Sequence, residues 1–241
     1  MQIKKNKLDN IYKCHTEESG FESKLLKYKT QEILFHLKGP KVLDLGCGVG
    51  MITKALASNV KVCVGVDGSP QKIAVAKRKN KASNLTYFCT LFEDYQPKFK
   101  FSSIVMTNVL EHIPKPIPFL KLLKAWLTPT GRLIITVPNA KAFHKLLGHN
   151  MGLITNYYQL TPADTSRGHF HMYDLPKLKR HLKMAGYTTP VLSGFFFKPF
   201  SSAQMEIYSD EILDGLYSIG KHYPRLCSSL IVLAQPRLRS K

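Results

Sequence analysis

Val42-Leu43-Asp44-Leu45-Gly46-Cys47-Gly48-Val49-Gly50 is the stretch whose reading decides the fold. An apolar run passes straight into a glycine-rich turn, and a helix-like segment follows from Met51. Glycine has no Cβ and reaches positive φ freely, so a ligand can lie directly against this backbone. The first N–H groups of the following helix have no partner inside it and face the same space. A second apolar run, Val60-Lys61-Val62-Cys63-Val64-Gly65-Val66, ends at Asp67. A carboxylate at the tip of a neighbouring strand can accept both hydrogen bonds of a ribose diol. Turn and carboxylate together read as a site for a nucleoside-bearing cofactor.

Outward from this stretch, strand-like and helix-like segments alternate. The patterning predicts strands at 41–45, 60–66, 85–89, 103–107 and 132–137. It predicts helices at 22–37, 51–57, 70–81 and 118–127, the first stopped by Gly39-Pro40 and the third opened by Ser69-Pro70. Such alternation implies an α/β fold with a mainly parallel sheet and helices on both faces. Ligands in such sheets bind beyond the carboxyl ends of the strands. Asp44, Asp67, Leu91-Phe92 and Asn108 all fall there. Beyond Pro138 a long polar, aromatic, histidine-bearing stretch runs from 139 to 173, and connections of that length are usually functional. A helix capped by Asp174 and ending at Gly186 follows, then a strand at 188–197, a helix at 204–217 and a strand at 228–234. The expected architecture is a doubly wound, mainly parallel seven-stranded sheet. Residues 1–38 form an N-terminal helical segment and 39–241 the main domain, with an acceptor lid at 139–173 and a helical insertion at 200–225.

The chain has 241 residues and 44% hydrophobic content, enough for a substantial core. No apolar run approaches the roughly 20 residues that span a bilayer. The basic start, Met1-Gln2-Ile3-Lys4-Lys5-Asn6-Lys7, lacks the apolar core of a signal peptide. Cysteines at 14, 47, 63, 89 and 227 show no paired metal-type spacing. Reduced thiols and a cytoplasmic location are the simplest expectation. The net charge of +19 comes mostly from dispersed lysines and reads as a solvated surface. Nucleic acid, an anionic membrane surface or an acidic substrate are the alternatives it leaves open.

A dinucleotide site would carry G-x-G-x-x-G. Here the spacing is G-x-G-x-G, and Asp44 stands where a cationic ligand suits better than a pyrophosphate. Asp44-Leu45-Gly46-Cys47-Gly48-Val49-Gly50 resembles the first motif of the class I S-adenosylmethionine methyltransferases. Asn108-Val109-Leu110-Glu111-His112-Ile113-Pro114 resembles their fourth-strand motif. Leu127-Thr128-Pro129-Thr130-Gly131-Arg132-Leu133 resembles the turn before their fifth strand. The Leu-Glu-His-x-Pro pattern is shared with the ubiquinone-pathway O-methyltransferases, and Gly168-His169 with Tyr173 is similar to bacterial small-molecule enzymes. The ordered set covers residues 40 to 140.

The resemblance implies S-adenosylmethionine as cofactor and S-adenosylhomocysteine as product. Gly46, Cys47, Gly48 and Gly50 would let the backbone approach it, and Asp44 would order the turn and meet the methionine amino group. Asp67 would hold the ribose, with Gly68 and Ser69 on the adenine side. Where the family often places an acid for the adenine amino group, this chain has Leu91. Adenine would instead meet backbone groups and the Phe92 ring, with Glu93 as substitute. Asn108 closes the set. Ser102-Ser103 also departs from the family's usual Phe-Asp, a change expected to matter only structurally.

Methyl transfer to a hydroxyl needs an aligned nucleophile and a proton acceptor. Histidine suits that role near neutral pH, and His112, His169 and His171 are the candidates. Each also has a plain packing or capping role available. The His169/His171 pair could ligate a metal, but the sequence offers no matching carboxylate set, so no metal is assigned. Acceptor contacts are expected from Tyr12, His144, Asn156, Tyr157, Tyr158, Arg167 and Tyr173, with Tyr12 and His15 folding over the cofactor. The aromatic run Phe195 to Phe200 reads as an edge strand, an acceptor wall or a dimer contact. The expected function is methylation of a small-molecule hydroxyl on a metabolite, sugar or quinone-type phenol. N-methylation of a small molecule or amino sugar, RNA methylation favoured by charge alone, and cofactor binding without turnover are the alternatives. Peripheral membrane contact with a lipid-like acceptor is also compatible, and the oligomeric state is open between monomer and homodimer.

Overall fold

The computed structural model describes residues 20–237. Helix α1 (Gly20–Phe35) leads into β1 (Lys41–Leu45), α2 (Met51–Ala57), β2 (Val62–Asp67), α3 (Pro70–Lys79), β3 (Leu85–Cys89) and β4 (Phe101–Thr107). Then come α4 (Pro116–Trp126), β5 (Leu127–Pro138), α5 (Phe143–Asn150), α6 (Pro162–Ser166) and α7 (Leu175–Met184). The chain closes with β6 (Tyr187–Phe195), α8 (Ser202–Met205), α9 (Asp210–His222) and β7 (Ser229–Pro236). The strands form one seven-stranded sheet in the order β3-β2-β1-β4-β5-β7-β6. β1 to β5 pair in parallel, whereas β7 runs antiparallel to both β5 and β6. Among the described residues no helix is long and apolar enough to cross a membrane.

Side chains alternate across the sheet and build a core on each face. Leu43, Leu45, Ile104, Met106, Leu133 and Ile135 point to one face, where Leu120 and Leu123 of α4 and Leu178 and Leu182 of α7 cover them. Val42, Cys63, Val105, Ile134 and Ile231 point to the other, under Ile33 of α1, Leu56 of α2 and Leu213 of α9. The Ser69 hydroxyl accepts from Lys72 N and caps α3, and Asp174 accepts from Lys177 N and caps α7. Each is followed by a proline in the first helical turn, as the sequence predicts. Ser102 and Ser103 clamp the loop before β1: their hydroxyls donate to Lys41 O (2.8 Å) and Lys38 O (2.7 Å). That contact explains the departure at this position.

Two expectations need correction. The single helix at 204–217 is two helices, because Ser201 forms a capping box with Gln204 and Ser209 opens a fresh helix at Asp210. The 139–173 stretch carries two helices, α5 and α6. Of the readings for the aromatic run, the edge strand holds at its start: Phe195 ends β6 at the edge of the sheet, Phe195 and Phe196 are buried, and the Phe196 ring lies 5.4 Å from Phe21 of α1.

Candidate active site

The turn after β1 is stitched to β2, since Gly46 N and Cys47 N both donate to Val66 O (2.8 and 3.1 Å). Its glycines have φ of 75°, 54° and 84° at positions 46, 48 and 50. A Cβ on Gly46 would lie 2.5 Å from Val109 Cγ2, and one on Gly50 would collide with the Tyr87 hydroxyl. A Cβ on Gly48 would meet nothing within 4 Å. Positions 46 and 50 are therefore fixed by packing, whereas Gly48 borders open space beside the backbone.

Asp67 is 4% exposed and accepts from Gly48 N and Ser69 N, both at 2.9 Å. The carboxylate thus joins the glycine turn to the start of α3 and keeps further lone pairs available. Asp44 is buried and accepts the Thr53 hydroxyl at 2.7 Å, fixing α2 to the turn. Burial pushes its pKa up to about 7, with Thr53 opposing and Asp67 adding to the rise. Burial likewise pushes the Cys47 thiol well up, so it stays protonated near neutral pH. Gly68 is buried. Leu91 and Phe92 are half-buried after β3, with the Phe92 ring 5.7 Å from Phe119, whereas Glu93 is exposed. Asn108 sits at φ 53°, a conformation asparagine tolerates, and its Oδ1 accepts the Thr136 hydroxyl at 3.1 Å.

Beyond β4, Glu111 and His112 lie in a short 3₁₀ turn (Leu110–His112). The loop after α6 folds back on it, and Phe170 N and His171 N donate to Glu111 O (2.8 and 3.2 Å). This brings His169 to His112, with ring centroids 4.7 Å apart. One ligand-type atom from each of Glu111, His112 and His169 falls within 4.8 Å of the others. Both Glu111 oxygens are buried without a hydrogen-bond partner, and burial pushes this carboxyl up to about 8. His169 Nδ1 lies 3.3 Å from Asp164 Oδ1. Asp164 in turn accepts the Thr161 hydroxyl (2.7 Å) and Thr161 N (3.0 Å). Burial lowers the His169 pKa, with Asp164 acting against it. Glu111, adjacent to His112 in the chain, is the carboxylate that the fold brings beside His169. Asp164 likewise carries no role in the sequence reading. Its only sequence signal is the Thr161-x-x-Asp164 spacing of a local cap.

The other candidates scatter. His171 turns away, its Nε2 3.3 Å from Pro114 O and its ring near His181. Tyr173 is 1% exposed, packs in the core and pairs its hydroxyl with His181 Nδ1 (3.2 Å), so it offers no face to an acceptor. It shares a core cluster with Leu178 and Leu182 of α7. The Tyr158 hydroxyl donates to Asp174 Oδ2 (2.6 Å), tying the 151–161 loop to α7. The Tyr157 ring lies 4.5 Å from His149 in a tilted arrangement, and exposed Asn156 accepts Tyr158 N. Arg167 is exposed and His144 half-buried on α5. Tyr12 and His15 lie outside the described residues.

A glycine turn, an acidic strand tip and a histidine loop thus gather at one end of a mainly parallel α/β sheet. The methyltransferase domain family matches residues 20–190, and the chain belongs to it. It is 38% identical over 120 residues to a ubiquinone biosynthesis O-methyltransferase of Coxiella burnetii, covering 47% of this chain and 49% of that one. It is 29% identical over 174 residues to the enzyme of that name from Actinobacillus pleuropneumoniae, covering 68% and 73%. The chain spans about half the length of the first curated relatives it matches. The fold is that of magnesium protoporphyrin IX methyltransferase from Synechocystis, solved with S-adenosylhomocysteine bound (TM-score 0.62, 16% identity, 96% and 93% coverage).

Proposed function

We propose that this protein transfers a methyl group from S-adenosylmethionine to a hydroxyl of a small-molecule acceptor. The observation that carries the reading is the convergence of the open Gly48 turn, Asp67 and the His112/His169 pair at one end of the sheet. Val109, packed against Gly46, is only two residues from Glu111 and links the two halves of the site.

The residues present fit the cofactor. The Gly46–Gly50 turn leaves backbone space at Gly48, Asp67 has lone pairs for a ribose diol, and the Phe92 ring offers an apolar face for adenine. When bound, S-adenosylmethionine supplies a sulfonium-activated methyl group, so the protein's task is alignment and proton removal. The Asp164 carboxylate favours a proton on His169 Nδ1, which leaves Nε2 as the basic atom of the ring. Glu111, with its pKa raised to about 8, is largely neutral at pH 7 and avoids a second negative charge beside the reacting oxygen. The 139–173 segment acts as the acceptor lid, held down by the Tyr158–Asp174 bond and the backbone bonds to Glu111. The names of the curated relatives support oxygen as the accepting atom.

The test is calorimetric binding of S-adenosylmethionine, followed by a screen for S-adenosylhomocysteine release on hydroxylated metabolites. A His169→Gln variant should keep cofactor affinity and lose transfer by about 10²–10⁴-fold. A wild type that binds neither cofactor form overturns the enzyme reading in favour of a scaffold. Unchanged transfer in His169→Gln removes the proposed base.

A further inference from the structure

The loop over Glu111 buries a carboxyl group that no neighbouring cation neutralises. Glu111 is 1% exposed, and neither of its oxygens has a hydrogen-bond partner. Among the described residues no lysine, arginine or histidine nitrogen lies within 4.0 Å of them. A buried polar group left in this state calls for an explanation, and an ion is one. What Glu111 does face is a pair of imidazoles. One ligand-type atom from each of Glu111, His112 and His169 lies within 4.8 Å of the other two. Glu111 and His112 share one 3₁₀ turn, and His169 arrives with the loop that Glu111 O anchors through Phe170 N and His171 N. His171, the partner for His169 that sequence spacing suggests, is turned toward Pro114 O instead.

Both rings are also held from behind. His112 Nδ1 meets Gly168 O at 3.2 Å, and His169 Nδ1 faces Asp164 Oδ1 at 3.3 Å. A carbonyl and a carboxylate can only accept, so each neutral ring carries its proton on Nδ1 and its lone pair on Nε2. The other Asp164 oxygen is pinned by the Thr161 hydroxyl (2.7 Å) and Thr161 N (3.0 Å). Histidines that ligate a metal are oriented this way, with one nitrogen on the ion and the other donating to a carbonyl or carboxylate. Two imidazoles and one carboxylate suit zinc and its transition-metal neighbours, whereas magnesium and calcium prefer oxygen donors. Three protein ligands also leave a coordination position open. Ligands about 2.1 Å from a tetrahedral ion lie about 3.4 Å apart, so the three groups would close by up to about 1.4 Å, within reach of side-chain rotation.

We propose that Glu111, His112 and His169 form a three-ligand site for a divalent transition-metal ion of the zinc class, with Asp164 and Gly168 O as the outer partners that orient the rings. The ion supplies the positive charge that the buried carboxylate lacks, and Glu111 releases its proton as the ion enters. Loading also spends the Nε2 lone pair of His169 that the proposed base needs. The metal-free and metal-loaded sites are therefore alternative states, and only this consequence rests on the methyl-transfer reading.

The test uses the full chain, freed of metal with a chelator and titrated with Zn²⁺ by calorimetry and with Co²⁺ by visible absorption. One Zn²⁺ per chain should bind with a Kd of about 1 μM or tighter. Co²⁺ should give ligand-field bands without the charge transfer of a cysteine thiolate. Asp164→Asn keeps all three ligands and should weaken Zn²⁺ binding about 10–100-fold. Glu111→Gln and His169→Gln should each weaken it at least as much, and Cys89→Ser, at an exposed thiol, should leave it unchanged. Circular dichroism in chelator checks that each variant is folded. Absence of one-to-one binding by the wild type overturns the site, as does an affinity that Asp164→Asn, Glu111→Gln and His169→Gln all leave intact. S-adenosylhomocysteine titrated into the metal-free wild type judges the methyl-transfer reading separately: its failure to bind counts against that reading and leaves the metal site standing.

Discussion

Replacing Asp67 with alanine separates cofactor binding from fold more cleanly than any other change. The carboxylate is 4% exposed and holds Gly48 N and Ser69 N at 2.9 Å each. Hydrogen bonds to a charged group contribute about 1.5–3 kcal/mol apiece, but both N–H groups lie at the mouth of the sheet, where water can replace the carboxylate. The expected stability loss is therefore about 1–3 kcal/mol. In the proposed complex, two further bonds to a ribose diol would be lost. Discounted for hydration of the free carboxylate, they amount to about 3 kcal/mol, or roughly a hundredfold in Kd. Titration calorimetry with S-adenosylhomocysteine reads the second number and thermal melting the first. Tyr187→Phe is the control: its hydroxyl donates to Leu120 O at 2.9 Å in the core, so its loss should lower Tm without touching affinity. A folded Asp67→Ala protein that binds within about threefold of wild type would refute the reasoning.

Glu111 supplies a pH signature. Its pKa rises from 4.5 to about 8 through burial, so the folded chain holds this proton more tightly than the unfolded one. Stability from this group is complete below about 4.5 and is lost as pH rises toward 8, with a slope on the order of 1 kcal/mol per pH unit. Glu111→Gln should flatten that decline in urea titrations run from pH 5 to 8, leaving the smaller share due to Asp44; an unchanged slope counts against a buried, unpaired carboxyl. Asn139 bonds Arg225 O (2.8 Å) and Cys227 O (2.9 Å) and accepts Lys141 N (3.0 Å). Asn139→Ala strands these buried groups and should cost about 3 kcal/mol by chemical denaturation, with no cost expected only if water enters.

The β1–turn–α2 unit was legible because glycine spacing and strand termini are local properties. Asp67 was legible for the same reason. The break between α8 and α9 was not, since apolar periodicity continues through 204–217 and the decisive caps are two ordinary serines. Helix α5 is hard to read from sequence because it is short and opens without a side-chain cap. Tyr173, expected among the acceptor contacts, has its ring in the core, a burial that no local pattern around it announces. Glu111 shows the limit most clearly. The residue stands beside His112 in the chain, yet its isolation from solvent comes from the loop of 168–171 lying over it.

The position of β7 has a consequence for synthesis on the ribosome. β5 and β6 never pair with each other; each is held by β7, the last strand in the order of the chain. Until residues 229–236 emerge, β5 presents an open parallel-sheet edge and β6 has no neighbour in the sheet. Five strands can assemble early from near-neighbour contacts, but the sheet is completed only by inserting a late segment into a waiting gap. Pairings so distant in sequence are slow to close, and an open apolar edge invites other chains. A nascent chain halted before Ser229 should therefore be held by chaperones or aggregate, however well its cofactor turn is already formed.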